Sequence, residues 1–435
     1  MSLTAGIYTL GCKVNQYESE AIAEGLQKIG FTLLPPTEVC SLYVINTCTV
    51  TAESDRKARQ FIRRALSHNP DAYILVTGCL AQVDAMQIAA IQGVDYVCGN
   101  REKLSVIAAA QTLAARGRKN DAPVIAVSNL DDAPFETMQI TRFDRTRAYV
   151  KIEDGCESRC AYCIIPRARG KIRSKAPADV LAEVRALAEG GCREVVLTGI
   201  ETSAYGKDLG DYDLADLLCS LDRESGIARI RLGSLDPSLI RDDFVSRIAG
   251  LRSLAPHFHL SLQSGSGHVL RLMRRRYSAE MAYAAIERLR AAFPRLGLTA
   301  DVIVGFPQET DADFAETLDF LDRARFLDAH IFAYSKRPGT EAAEMDGQID
   351  ESVKHARSNA LIEAQAALHA ELLDAAVSGA EPQSVLFETR QGNIYRGHTP
   401  TFYEVEVESD GCDLRGREIT VTPVAHDNIR LIGKL

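Results

Sequence analysis

The sequence predicts an α/β chain in three parts: an N-terminal open parallel α/β sheet over 1–120, a central partial (β/α)6 barrel over 142–372, and a small C-terminal β-barrel over 377–435. Three observations carry this. Short apolar runs alternate with helical periodicities from Ile7 to about residue 115, the pattern of a parallel sheet covered by helices. The same strand-then-helix alternation resumes at Ala148 and continues to Tyr334. After Gly379-Ala380-Glu381-Pro382 the pattern shifts to the two-residue alternation of antiparallel strands, with glycines as turns.

Composition permits such a chain. Its 435 residues suit two to four domains, and 46% hydrophobic with 25% charged residues is ordinary for a globular protein. A formal charge of −9 excludes a molecule that is basic overall, so any polyanion-binding surface is local. Met1-Ser2-Leu3-Thr4 lacks the basic and apolar regions of a signal peptide, and no apolar run approaches membrane-spanning length. Eleven cysteines fit thiols kept reduced for metal binding or catalysis. A cytoplasmic protein with no membrane partner is expected. No internal repeat of solenoid period is found.

Ile7-Tyr8-Thr9-Leu10 reads as a strand, followed by Gly11-Cys12. Glu18 to Ile29 reads as a helix with Ile22, Leu26 and Ile29 on one face. Leu42 to Asn46 is a second strand, then Thr47-Cys48. Thr51 is the expected N-cap of the next helix, with Glu53 and Asp55 in its first turn and Ala58, Phe61, Ile62, Ala65 and Leu66 as its buried stripe. Tyr73 to Thr77 is a third strand, then Gly78-Cys79. Cys12, Cys48 and Cys79 thus share one address, just past the carboxyl end of a parallel strand, where open α/β sheets bind ligands. They can form a three-thiolate site; small buried residues at sheet ends are the other reading. Cys40, Cys98, Cys192, Cys219 and Cys412 match no motif and read as core thiols.

Arg116 to Arg142 reads as a polar, irregular linker with one strand at Val124–Val127. The strand Ala148–Ile152 then enters a loop with Cys156, Cys160 and Cys163, spaced C-x3-C-x2-C. Three thiolates this close can converge on a soft metal centre. Structural zinc takes four ligands and iron-sulfur clusters usually four cysteines. The missing fourth is informative, because a cubane cluster held by three cysteines keeps one iron open for a ligand. Zinc completed by a remote residue, or three free thiols, are the alternatives. Arg142, Arg145, Arg147, Lys151, Arg159, Arg167, Arg169, Lys171, Arg173 and Lys175 read as a basic rim around this loop, suited to a polyanion, or as a solvated face or charges balanced by distant carboxylates.

Further strands are expected at Glu194–Thr198, Ile230–Gly233, Phe258–Leu262, Leu298–Val304 and Ala329–Tyr334. Helices are expected at Pro177–Glu189, Leu239–Ala249, Glu280–Phe293 and Asp311–Arg325. In (β/α) barrels chemistry sits at the carboxyl ends of strands, which draws attention to Thr198-Gly199-Ile200-Glu201, Gly233-Ser234, Gln263-Ser264-Gly265-Ser266, and Asp301 with Gly305-Phe306-Pro307; Ser234, Gln263 and Asp301 each also read as a helix cap or turn residue. Arg271, Arg274, Arg275 and Arg276 form a second basic patch. Glu351 to about Ala376 is a long helix. Strands follow at Val385–Phe387, Phe402–Val407 and Ile419–Val424, with Gly392, Gly397, Gly411 and Gly416 as turns.

The C-x3-C-x-aromatic-C loop, with Tyr162 as the aromatic, resembles the radical S-adenosylmethionine (SAM) signature. Leu10-Gly11-Cys12-Lys13-Val14-Asn15-Gln16-Tyr17-Glu18-Ser19, Asn46-Thr47-Cys48 and Thr77-Gly78-Cys79 resemble the N-terminal domain of the methylthiotransferase family, and the whole chain follows that family's order. Ser335-Lys336-Arg337-Pro338-Gly339-Thr340 is similar to an element closing its radical SAM core, and 377–435 to its TRAM module, which binds RNA. Here that module is locally acidic, which argues against phosphate attraction by it or restricts that attraction to one face.

The resemblance implies two 4Fe-4S clusters, one on Cys156, Cys160 and Cys163 and an auxiliary one on Cys12, Cys48 and Cys79. It implies SAM on the open iron, with Tyr162, Gly199, Glu201, Ser234, Gln263 and Asp301 as candidate contacts, and an electron donor. The family implies an adenosyl radical that takes hydrogen from adenine C2 and a methylated sulfur that replaces it. The context of Cys12 is most similar to the branch acting on N6-threonylcarbamoyladenosine at position 37 of tRNA. The other branches act on isopentenyladenosine of tRNA or on a ribosomal-protein aspartate. A non-catalytic RNA-binding protein with structural clusters is the alternative of a different class.

Overall fold

The structure, a computed structural model, describes residues 3–131, 134–141 and 146–435. Arg142 and Arg145 of the expected basic rim lie outside the described residues. The described residues form two compact units, one from within 1–142, 151–175 and 335–343, the other from within 143–150, 176–334 and 344–435.

The first unit is built on a six-stranded sheet of order β2-β1-β3-β4-β5-β6, parallel throughout. Its strands are β1 (Thr4–Thr9), β2 (Thr32–Leu34), β3 (Leu42–Thr47), β4 (Tyr73–Gly78), β5 (Tyr96–Cys98) and β6 (Val124–Ala126). β3 and β4 are central and wholly buried, which is why they read as unbroken apolar runs rather than alternating ones. One face packs Ile45, Ile74 and Val76 against Ala58, Phe61 and Ile62 of helix α2 (Ala52–His68). The other packs Val44 and Leu75 against Ile22 and Leu26 of helix α1 (Lys13–Lys28) and Val106 of the helix Ser105–Arg116. The Thr51 hydroxyl caps α2 by accepting from the Ser54 amide at 3.2 Å, as the sequence predicts.

Two expectations need correction. Helix α1 begins at Lys13, directly after Cys12, not at Glu18, because Val14 and Tyr17 are buried on its inner face. The segment expected as a linker is anchored: Leu130, Met138 and Ile140 are buried. The Tyr17 hydroxyl donates to the Met138 carbonyl at 2.6 Å, and Glu24 accepts from the Thr141 amide at 2.7 Å.

Strand β7 (Arg147–Lys151) runs from the second unit into the first, where β8 (Glu153–Asp154) and β9 (Arg173–Ser174) pair antiparallel around the cysteine loop. The second unit continues with β10 (Glu194–Thr198), β11 (Arg229–Leu232), β12 (Ser234–Leu235), β13 (His257–Gln263), β14 (Gly297–Val304) and β15 (Asp328–Ala333), in sheets of order β11-β10-β7 and β12-β13-β14-β15. Only Gly233 separates β11 from β12, so the strands occupy the six positions of the expected partial barrel. The helix Leu214–Glu224 went unread in the sequence, although Asp213 and Asp216 form a capping box at its start.

The C-terminal module is a closed barrel of order β16-β17-β18-β20-β19: β16 (Gln383–Gln391), β17 (Ile394–His398), β18 (Glu404–Glu408), β19 (Glu418–His426) and β20 (Leu431–Lys434). Gly397 lies inside β17, not in a turn, where its Cα packs on the backbone of Leu386 and Phe387. Phe402 lies in a turn before β18, at φ +77°, rather than in a strand. The barrel is clamped to the rest of its unit. Glu194 accepts from Arg229 and Arg231, Arg229 also bonds Glu418, and Arg147 reaches Glu388 at 3.0 Å. The Phe402 ring lies against the Arg231 guanidinium at 4.8 Å and stacks on His257 at 4.5 Å. No described helix is long and apolar enough to cross a membrane.

Candidate active site

Both cysteine trios fall within the first unit. Cys48 and Cys79 directly follow β3 and β4, and Cys12 stands between the Leu10-Gly11 turn and α1. The turns are built tightly. Gly11 has φ +98°, and a Cβ there would lie 2.8 Å from the Cys48 sulfur. Gly78 has φ +100° against the Thr47 backbone; only glycine tolerates both demands. The Asn15 amide donates to the Leu10 and Thr47 carbonyls at 2.7 and 3.0 Å, tying the first two cysteine turns together. Burial, then the neighbouring Cys79 and Cys12, push the Cys48 thiol up to about 12. Thiolates this close repel one another unless they share a cation, which a polynuclear iron centre supplies. The donor set therefore fits a cluster.

The same unit holds the C-x3-C-x2-C loop. Gly155, at φ +95°, lets the chain pass the Lys171 carbonyl. The loop closes through Cys156 N–H to the Gly170 carbonyl and Cys163 N–H to the Cys160 carbonyl, each 3.0 Å. The Ser158 amide points at the Cys156 sulfur at 3.4 Å, the kind of N–H···S bond that tunes cluster ligands. The three sulfurs are half-buried, and Tyr162 is half-buried between the last two. This set fits a three-cysteine cluster.

Arg169, on the short helix after this loop, joins the two trios. It is fully buried, and its Nε donates to the Cys79 sulfur at 3.2 Å. Its remaining nitrogens reach Glu18 at 2.6 Å, Asn15 at 2.5 Å and Asp154 at 3.3 Å. Lys151 bridges Glu18 and Asp154 at 2.8 and 2.6 Å, and Lys103 also bonds Glu18. Asn100 donates to the Ala168 carbonyl at 2.6 Å and lies 3.6 Å from the Cys79 sulfur. The basic-rim reading is corrected accordingly: Lys151, Arg169, Arg173 and Lys175 are buried. A buried cation needs a partner, and each has one, Arg173 at Asp154 and Lys175 at the Met138 carbonyl. Arg159, Arg167 and Lys171 remain exposed.

The 335–343 segment returns to this unit: the Ala342 amide donates to the Ala161 carbonyl at 2.8 Å, and Arg337 bonds Asp55 at 2.5 Å and the Thr49 hydroxyl. Asn15, Glu18, Asn100, Lys103 and Arg337 went unread as site residues. Glu18 and Asn15 stand in the quoted Cys12 motif, which was the available signal.

The second unit carries the other candidates. Gly199 and Glu201 follow β10, where Lys207 lies 3.8 Å from the Glu201 carboxylate. Ser234 is exposed at the start of β12. Gln263 ends β13 at φ +66° where the register shifts; such a conformation in a non-glycine residue marks a constrained site. Asp301 stands inside β14, not at its end, and both carboxylate oxygens are engaged, by His259 and His330 at 3.1 Å each. Of the unassigned cysteines, Cys40, Cys98 and Cys192 are buried as expected. Cys219 is half-buried, and Cys412 is exposed beside Arg417 rather than in a core.

Comparison with known proteins is decisive for the family. Residues 150–321 match the radical SAM superfamily, and residues 4–99 match a family described as uncharacterized, UPF0004. Threonylcarbamoyladenosine tRNA methylthiotransferase MtaB of Bacillus subtilis is 41% identical over 92% of this chain and 90% of its own. The chain belongs to the MtaB-like methylthiotransferases of the radical SAM superfamily. The MtaB of Thermotoga maritima is 39% identical to this methylthiotransferase over 83% of the chain and 81% of its own. A tRNA-2-methylthio-N(6)-dimethylallyladenosine synthase of Mycobacterium bovis is 37% identical over 89% and 77%. Among solved structures, the radical SAM methyltransferase TsrM of Kitasatospora setae, with cobalamin and a 4Fe-4S cluster bound, shares the fold at TM-score 0.57 and 16% identity, over 79% of this chain and 77% of its own. As a radical SAM methylthiotransferase, this transferase uses SAM and 4Fe-4S clusters.

Proposed function

We propose that this methylthiotransferase adds a methylthio group to C2 of N6-threonylcarbamoyladenosine at position 37 of tRNA. The observation that carries the substrate is the 41% identity, over 92% of the chain, to a relative named for that nucleoside. In this reading Cys156, Cys160 and Cys163 hold the SAM-binding cluster, and Cys12, Cys48 and Cys79 the auxiliary one. When bound, these groups supply a 5'-deoxyadenosyl radical, able to attack an unactivated aromatic C–H, and a sulfur for the same carbon. The protein's part is positioning. Glycine turns set the cysteines of both trios, and Arg169 fixes the loop of one trio against a ligand of the other. Tyr162, Gly199, Glu201, Ser234 and Gln263 are the proposed SAM contacts; Asp301 is already committed to two histidines.

Nucleoside analysis of tRNA from a deletion strain tests the substrate. The methylthio derivative of threonylcarbamoyladenosine is expected to vanish; its persistence, with loss of the isopentenyladenosine derivative, would overturn the assignment. Two variants of the reconstituted, reduced enzyme test the division of labour. Cys160→Ala is expected to abolish 5'-deoxyadenosine formation. Cys48→Ala is expected to retain it and yield no methylthiolated nucleoside.

A further inference from the structure

Three side chains of the second unit, Asp301 among them, converge on one face of the β13-β14-β15 sheet. His259 lies on β13, Asp301 on β14 and His330 on β15. The parallel register explains their meeting: His259 pairs with Thr299, two residues before Asp301 on the same face, and Asp301 pairs with His330. That face is opposite to the helix-packed one, since the alternate residues Phe258, Leu260 and Leu262 are fully buried and Phe258 packs on Phe293. His259 Nε2 lies 3.1 Å from one Asp301 oxygen, and His330 Nδ1 lies 3.1 Å from the other. One nitrogen of each ring and a carboxylate oxygen all lie within 4.8 Å of one another.

We propose that His259, Asp301 and His330 form a binding site for one divalent transition-metal ion of the zinc or ferrous class, separate from the iron-sulfur centres. Two imidazoles and one carboxylate are the donor set that such ions take when coordination positions are kept open. Each imidazole nitrogen stands 3.1 Å from its own Asp301 oxygen, near the spacing of roughly 3.3 Å between ligand atoms at metal–ligand bonds of about 2.05 Å, so a carboxylate ligating through both oxygens faces both rings. An outer partner is present too: His259 Nδ1 lies 2.8 Å from the Thr299 hydroxyl, which orients the ring so that Nε2 faces Asp301. Thr299 is itself held by His257 at 3.0 Å. The exposures grade from His259, 10%, through Asp301, 25%, to His330, 57%. The site is therefore rooted in the sheet and open on the His330 side, where water or a ligand oxygen completes the coordination.

The test uses the full chain with its iron-sulfur centres reconstituted, dialysed against zinc(II) under anaerobic conditions. Metal, iron and sulfide are then measured together. One zinc per chain is expected beyond the iron, with affinity in the micromolar range or tighter. His330→Ala, at an exposed position, and Asp301→Asn are each expected to weaken zinc binding at least tenfold with iron and sulfide unchanged. Thr299→Ala is expected to weaken it by about tenfold, the usual cost of losing an outer partner. Equal zinc in the wild type and His330→Ala would overturn the site. So would a wild type that binds no stoichiometric zinc, which would leave the three residues as a closed hydrogen-bond network.

Discussion

Arg169 is the residue on which most of the first unit's chemistry turns. Its guanidinium neutralises Glu18 and Asp154 and donates to the Cys79 sulfur. Arg169→Met is expected to cost roughly 3–5 kcal/mol, because removing one partner leaves buried carboxylates undercompensated. It is also expected to lower the reduction potential of the cluster proposed at Cys12, Cys48 and Cys79, because N–H···S bonds favour the reduced form. Denaturant unfolding and a potentiometric EPR titration check the two outcomes. The network also sets an acid limit. Burial pushes the Glu18 carboxyl up, yet Arg169, Lys103 and Lys151 pull it well below the ordinary range. A depressed carboxyl stabilises the fold above its unfolded value of about 4.3, and this is lost as pH falls further.

Glu136 works in the opposite direction. Burial outweighs the Leu104 amide and the nearby lysines, raising its carboxyl to about 7. A group that holds its proton more tightly when folded stabilises the fold below its unfolded value and loses that contribution as pH climbs from about 4.3 through 7. Glu136→Gln is therefore expected to gain stability over the wild type between pH 5 and 8, by up to about 3 kcal/mol at the upper end. Melting curves of the two proteins across that interval check it; a constant difference would contradict the sign.

At the scale of elements, the sequence was most legible where burial imposes a strong period. Strands β3, β4, β10, β13 and β14 and the helix Pro177–Glu189 lie where apolar runs and periodicity place them. It was least legible where tertiary pairing defines an element. β17 carries Gly397 inside it at a close backbone approach, and β20 has four residues. The places of the cysteines, after strands and in one loop, could be read because strand ends and spacing are local properties. The burial of Arg169 and Lys151 could not, because it depends on Glu18, more than a hundred residues away in sequence.

The 351–379 helix supplies a prediction at this scale. Leu361 and Leu368 are buried along it, while Leu373 enters the core of the C-terminal barrel beside Val385 and Tyr395. One helix thus serves two cores, and Phe402 adds a second clamp against Arg231 and His257. The barrel and the strands it covers are expected to melt in one calorimetric transition. Phe402→Ala, removing a half-buried ring that stacks on His257 and His398 and lies against Arg231, is expected to lower that transition as a whole, by roughly 1–3 kcal/mol. A separate early barrel transition in the wild type would refute the shared core.

For the whole molecule the constraint is charge. A chain of net −9 must bind a polyanion through a local surface. Much of the basic stretch around the cysteine loop is spent internally, since Lys151, Arg169, Arg173 and Lys175 are buried. The C-terminal barrel offers little in its place: Arg396 and Arg430 are paired with Glu404 and Glu406. Arg159, Arg167 and Lys171 are what that stretch leaves exposed. Each phosphate contact contributes about 0.7 to the slope of log affinity against log salt on a flexible strand. Replacing all three with alanine is expected to reduce that slope for tRNA by about 2 and to weaken binding at least tenfold in low salt. SAM cleavage without tRNA is expected to stay at the wild-type rate, because none of the three is among the proposed cluster ligands. Filter binding across a salt series, run beside a 5'-deoxyadenosine assay, separates the outcomes. An unchanged slope would move the tRNA contact to the patch at Arg271, Arg274 and Arg276, where the same series of substitutions would then have to show the effect.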